Sequence, residues 1–295
     1  HRDLHSFPTR RSSDLGADAV RFSLVMLTYE GQDVKLSPKR FEMGRNFTNK
    51  IWNATRFALM KMPESLDVSK PVDIAKLTTY DKWILTRMSR TIETMTREQD
   101  EFHLITAVSA LYSFFWNDLC DWYLESIKAD LAPDASNERR ETSARVFLAV
   151  LDAALRLLHP YMPFITEELW TKLGEMYPNR SLDGLTPPAE AIIIAPWPKP
   201  TDFPRFDDAE NTMETVKLAV GAVRNLRGAR SILEKTPLSA QFDAATDENK
   251  AILESQRDLV VRLANLKALN IGVNITAPTN SAAEVLPPIQ LYVPD

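Results

Sequence analysis

From Gly16 to Lys172 apolar residues return every three or four positions, the spacing of helices that bury one face. Ala19, Phe22, Leu24, Val25 and Leu27 set that period over residues 16–29, and Gly31-Gln32-Asp33 reads as the loop that follows. Ser37-Pro38 opens the next helix, because Ser caps a first turn and Pro fits its first position. That helix or helix pair runs through Met60. Pro63 and Pro71 make 62–77 a loop, and Trp83, Ile84, Met88, Ile92 and Met95 pattern a helix from Thr79 to about Gln99. Further helices are predicted over 102–128, 137–158 and 163–172, with His159-Pro160 ending the second of these.

Beyond a proline-crowded stretch at 187–204 the period changes. Residues 209–233 and 247–266 read as helices, whereas 238–242, 269–275 and 289–293 read as strands. The pattern therefore predicts a mainly α chain, an antiparallel helical bundle over 35–200 followed by a small α/β domain over 201–295. No strand is expected in the bundle. Trp83, Trp116, Trp122 and Trp170 recur at helical spacing and should be largely buried, each contributing roughly 2–3 kcal/mol.

Composition agrees with helices. Of 295 residues 44% are hydrophobic and only 8 are Gly, so glycine-rich phosphate loops are poorly supplied. Cys120 is the single cysteine, which excludes a disulfide framework and suits a reducing, cytoplasmic setting. No apolar run reaches the length of a membrane span.

Charge is unevenly spread. The chain carries −5 overall, yet residues 35–61 hold seven cations (Lys35, Lys39, Arg40, Arg45, Lys50, Arg56, Lys61) against Glu42. A basic patch on an acidic body addresses one polyanion. On a helix at about 100° per residue, Arg45, Asn46, Asn49, Lys50, Asn53 and Arg56 share an arc of roughly 140°. Phe47, Ile51, Ala54 and Ala58 take the opposite face, while Phe57 lies inside the polar arc. Two readings stay open for this arc. Cations for phosphates, amides for base edges and a ring for stacking suit single-stranded RNA. A solvated helix face with one Phe covered by a neighbour has the same pattern.

Catalytic constellations are lacking. His1, His5, His103 and His159 are the four histidines, and His159, before a Pro, suits a helix-terminal hydrogen bond. Glu167-Glu168 and Asp118/Asp121/Glu125 fit solvated faces or intrahelical salt bridges. The sequence holds no phosphate loop, nucleophile elbow or HExxH pattern. Residues 1–15 follow no helical or strand period and resemble a translated adapter tail, so the natural polypeptide is expected to continue upstream of Gly16.

Several blocks, in order, resemble the valyl-tRNA synthetases, within class I of the aminoacyl-tRNA synthetases, just past their catalytic domain. They are 16–22 (Gly-Ala-Asp-Ala-Val-Arg-Phe), 31–35, the run 45–57, 81–85, 116–125, 159–170 and 223–227. Isoleucyl and leucyl enzymes share parts of the His-Pro and Glu-Glu-Leu-Trp block, whereas the Asn-Phe-x-Asn-Lys-x-Trp-Asn run is more typical of the valyl branch. The resemblance makes residues 16–34 the end of the catalytic and stem-contact region and the bundle an anticodon-binding domain for tRNA(Val). It places Lys39, Lys50, Asn53 and Phe57 at positions associated with anticodon contact, alongside Arg45, Asn46, Asn49 and Arg56 on the same arc. Lys39 stands where an Arg is usual, and 231–235 departs from the family's pattern. The resemblance further implies a monomeric, cytoplasmic parent without DNA or membrane partners. ATP and Mg2+ would belong to a catalytic region whose His-Ile-Gly-His and Lys-Met-Ser-Lys-Ser type signatures do not occur here, so the chain itself should be inactive. An isoleucyl-type synthetase and a stand-alone helical interaction module are the competing readings.

Overall fold

The computed structural model describes residues 16–28, 38–63, 66–184, 189–279 and 281–294. The tail 1–15, the loop at Gly31–Asp33, Lys35 and the Ser37 cap lie outside the described residues. The chain divides into two compact units, one ending at Phe206 and the other running from Asp207 to Asp295.

The first unit is helical, and no strand occurs among its described residues. Its main elements are α1 (Gly16–Leu27), α2 (Glu42–Lys61), α3 (Thr79–Asp100), α4 (Leu104–Ser113), a π-helical segment (Phe114–Leu124) and α5 (Glu125–Ile127). They are followed by α6 (Asn137–Leu158) and α7 (Pro163–Met176). Local chemistry sets the ends. Thr78 and Asp81 form a reciprocal capping box at α3, and Ser136 accepts from Arg139 N at the start of α6. The cap of α7 comes from elsewhere in the chain. Asp18 of α1, buried, accepts from Phe164 N at 3.2 Å and Ile165 N at 2.7 Å. Burial pushes its carboxyl above the ordinary range.

Phe47 of α2 is the hub of an aromatic core. Its ring lies 4.8 Å from Phe22 of α1 and from Tyr112 of α4, and 5.8 Å from Phe115, edge-on. Gly44 lets α2 approach α1 closely, since a Cβ there would overlap the Ala19 carbonyl oxygen. Between α3 and α6 a polar knot is sealed into the core. Asp81 accepts from Tyr123 Oη at 2.7 Å, from Thr78 and from an Arg139 guanidinium nitrogen. Asp130 accepts from Tyr80 Oη at 2.8 Å and Ser143 Oγ at 2.7 Å, and faces Arg139 Nε at 3.3 Å. Burial works against the Arg139 charge, yet the Asp81 and Asp130 carboxylates hold the group above its ordinary range.

Several expectations need correcting. The helix predicted over 102–128 begins at Leu104 and changes to π winding at Phe114. α3 stops in a Schellman turn, with Phe102 N returning to Gln99 O and His103 N to Glu98 O. Phe102 therefore takes a left-handed φ of 62° and stands 82% exposed. The chain then re-phases into the π segment, which leaves Trp116 and Trp122 half-buried rather than buried. Trp83 and Trp170 are buried as expected. α2 is entered through a 3-10 turn at Pro38–Phe41. His159 closes α6 with Nδ1 at 2.8 Å from Thr166 Oγ1.

The second unit holds α8 (Asp207–Ala229), β1 (Leu238–Asp243), α9 (Asp247–Ser255), α10 (Arg257–Leu263), β2 (Leu266–Gly272), β3 (Ser281–Leu286) and β4 (Ile289–Pro294). The sheet order is β2-β1-β4-β3, with β1 and β2 parallel and the other pairs antiparallel. α8 packs on β3 and β4, over a core that includes Phe242, Ile289 and Leu291. The helix expected to reach Leu233 ends at Ala229, because Ser231 N and Ile232 N close a second Schellman turn on Gly228 O and Arg227 O. The helix expected over 247–266 breaks at Gln256, and β2 begins three residues before the predicted strand. β3 was not foreseen, since Ser-Ala-Ala-Glu has little strand propensity and pairs along one edge only.

Candidate nucleic-acid interface

The inner face of α2 is spent on packing. Gly44, Phe47, Thr48, Ile51, Thr55, Ala58 and Leu59 are all buried. Because the helix turns every 3.6 residues, the opposite positions must face outward. Arg45, Asn46, Asn49, Asn53 and Arg56 are exposed, and Lys39 is exposed on the 3-10 turn before them. Arg45 and Arg56 are eleven residues apart, about 16 Å along the axis. None of these six side chains hydrogen-bonds or ion-pairs with another described residue.

Lys50 and Phe57 are different. Both are half-buried at the edge of the arc, where the π segment runs alongside α2. Lys50 Nζ lies 2.7 Å from Asp121 Oδ1 and 4.9 Å from the Trp116 ring centroid. Lys128 Nζ sits 5.5 Å over the Phe57 ring. Lys50, Asn53, Ala54 and Phe57 form one side of a cleft of about 260 Å³, with Cys120, Asp121, Leu124, Glu125 and Lys128 on the other. Burial pushes the Cys120 thiol up to about 12, so it lines the cleft as a neutral, apolar group. Ala54, expected on the packed face, is only half-buried and belongs to this cleft.

Three of the sequence-predicted residues, Lys50, Asn53 and Phe57, are thus gathered around one concavity. Lys39, Arg45, Asn46, Asn49 and Arg56 do not line it and lie on the open surface beside it. Sequence reading missed the far wall. Asp118 and Asp121 are not spent within their own helix: Asp118 Oδ2 takes Arg87 Nε of α3 at 2.9 Å, and Asp121 takes Lys50 of α2. Glu125 makes the intrahelical pair expected, with Lys128. The signal lies in spacing. Trp116 and Asp121 are five apart, about 140° around an α-helix, and come to one side only where the chain bonds i to i+5.

A family model described as "Anticodon-binding domain of tRNA ligase" matches residues 81–242, more than half of the chain. The chain belongs to this anticodon-binding family. Its valyl-type relatives extend the match across α1 and α2, which precede the region that the family model covers. The valine–tRNA ligase of Thermotoga maritima is 36% identical over 286 residues, 97% of this chain and 30% of the relative. That of Lactobacillus johnsonii is 34% identical over 281 residues, and that of Geobacillus stearothermophilus 36% over 283, each covering 95% of this chain. The chain spans about 30% of the length of these curated relatives.

In this anticodon-binding domain three of the other matched blocks, 16–22, 81–85 and 223–227, hold structural residues. Asp81 anchors the buried knot, and Asp18 caps α7. Arg227 is buried and donates to the carbonyls of Leu233, Thr236, Ala264 and Asn265 at 2.8–3.1 Å. The divergent segment at 231–235 is therefore held in place by a residue of the block before it. Among the described residues no helix is long and apolar enough to cross a membrane.

Proposed function

We propose that this chain is the part of a valine–tRNA ligase that holds the anticodon arm of tRNA(Val), RNA rather than DNA, for charging elsewhere in a monomeric, cytoplasmic enzyme. The single supporting observation is the joint between two surfaces: an exposed strip of cations and amides on α2 ends at a cleft walled by the Phe57 ring. A strip of Arg45, Asn46, Asn49 and Arg56 offers phosphate and sugar contacts to an unpaired loop. The cleft beside it offers a splayed base an aromatic face, the Asn53 amide and an apolar floor.

This reading assigns ATP and Mg2+ to a nucleotide-binding region and none to the residues here. The two nucleotide-binding signatures do not occur in the 295 residues, so valine activation falls outside what this chain does. The test is Phe57→Ala, with folding and binding measured on the same preparation. Loss of a base stack is expected to weaken binding of a valine anticodon hairpin by about 1–3 kcal/mol. The fold should remain close to its original stability, because the ring is only half-buried. A large fall in stability with unchanged affinity per folded molecule would make Phe57 a packing residue and refute the stacking role.

A further inference from the structure

The cleft beside α2 contains a group that anticodon binding alone does not call for: a carboxylate tied to its central lysine. Asp121 Oδ1 accepts from Lys50 Nζ at 2.7 Å, and the Trp116 indole lies 4.9 Å from the same ammonium. Both partners come from the π segment, one i-to-i+5 step apart. The pair is not core. Lys50's side chain is 29% exposed and Asp121's 43%, at the mouth of the cleft where a ligand would arrive. Arg45 and Arg56 on the same arc have no side-chain partner among the described residues, so their charge is unspent. Lys50 is already neutralised and is fixed from two sides.

We propose that Asp121 is a positioning and specificity-determining residue for RNA at this cleft, converting the Lys50 ammonium from a phosphate contact into a fixed donor aimed at a base. The inference rests on the anticodon-binding reading above. A lysine is a point charge on a flexible stem, and left free it follows any phosphate without regard to sequence. Tethered by Asp121 and backed by Trp116, it keeps N–H donors for a ligand but gives up the freedom to chase the backbone. Only a base presenting an acceptor at that place is then rewarded. Asp121 and Glu125 balance Lys50 and Lys128, so the cleft has no net charge to draw phosphate and the backbone is left to Arg45 and Arg56.

The experiment uses the full chain and two RNA hairpins with a common stem, one loop carrying a valine anticodon and the other the same nucleotides scrambled. Asp121→Asn keeps the shape and removes the charge. It should tighten binding of the scrambled hairpin and steepen the dependence of log K on log[salt] by about 0.7, the slope of one added single-strand phosphate contact. Preference for the matched loop should fall by about fivefold, the loss of one base contact. Asp121→Glu should restore both slope and preference, which a merely structural role would not require. If Asp121→Asn leaves slope and preference unchanged while Phe57→Ala still weakens the matched hairpin, the inference fails and the functional reading stands. If the unaltered chain binds the two hairpins equally, the functional reading fails and the inference falls with it.

Discussion

The outer face of α2 and the knot between α3 and α6 are made from the same materials, cations, carboxylates and hydroxyls on helices, and the fold treats them in opposite ways. In the knot the groups are answered from within, save Arg139 Nε, which faces Asp130 at 3.3 Å without a hydrogen bond. Asp81 alone takes partners from Thr78, Tyr123 and Arg139, and is fully buried. On the outer face of α2, Arg45, Asn46, Asn49, Asn53 and Arg56 take no side-chain partner among the described residues. A polar group that stabilises a fold must be satisfied by it, since an unmet buried donor or charge costs several kcal/mol. A polar group kept for a ligand must be left unsatisfied and wet. Lys50 stands between the two cases, half-buried and tied to Asp121 at the rim of the cleft.

The sharpest way to break this contrast is Asp81→Ala. It removes the α3 capping box and leaves Arg139 with Asp130 as its only carboxylate among the described residues, so unfolding free energy should fall by about 3–5 kcal/mol. Chemical denaturation checks it. A loss below 1 kcal/mol would mean that the knot is ornament and that burial of polar groups does not separate the two regions.

Much of this was legible in advance. The periods of three and four placed α1, α2, α3, α6 and α7 within a few residues, because each buries an apolar stripe, and α3, α6 and α7 also begin at a capping box, a hydroxyl cap and a proline. The outward arc of α2 followed from the same arithmetic. What was not legible depended on partners distant in sequence. Asp118 and Asp121 have the look of a solvated face until Arg87 and Lys50 arrive from other helices. Arg227 in its basic block gives no sign that four backbone carbonyls converge on it. The π segment was invisible because its aromatic residues satisfy a helical period nearly as well as an i-to-i+5 one, so Trp116 was placed in the core. Phe102 and Ser231, which adopt left-handed φ at helix ends, lack the glycine that normally announces such a turn.

A smaller effect compares the two faces of α2 itself. Gly44→Ala puts a methyl against the Ala19 carbonyl and within 2.6 Å of Ser23 Oγ, so α1 and α2 must separate. A loss of about 1–3 kcal/mol is expected, with the Phe22–Phe47 contact loosened as well. Gly is the worst helix former after Pro, and Ala would gain nearly 1 kcal/mol at an open helical site. Equal or raised stability in a thermal melt would therefore show that the close crossing is not what selects Gly44.

The smallest expected effect carries the most weight for function. Asn53→Ala on the outer face, at the lip of the cleft, removes an amide with no hydrogen bond to a described side chain and leaves a better helix former behind. Stability should stay within about 0.5 kcal/mol of the starting protein, as for other surface substitutions that break no cap, pair or packing contact. Binding should not be indifferent. An amide pairs with a base edge through a donor and an acceptor together, so its loss should fall on the matched anticodon hairpin and spare the scrambled one. Phosphate contacts from Arg45 and Arg56 remain, so the salt dependence should hardly move. Asn53→Ala thus separates a surface that reads from one that merely dissolves. An unchanged fold with an unchanged preference between hairpins would leave the arc a solvated helix face and remove Asn53 from the proposed site.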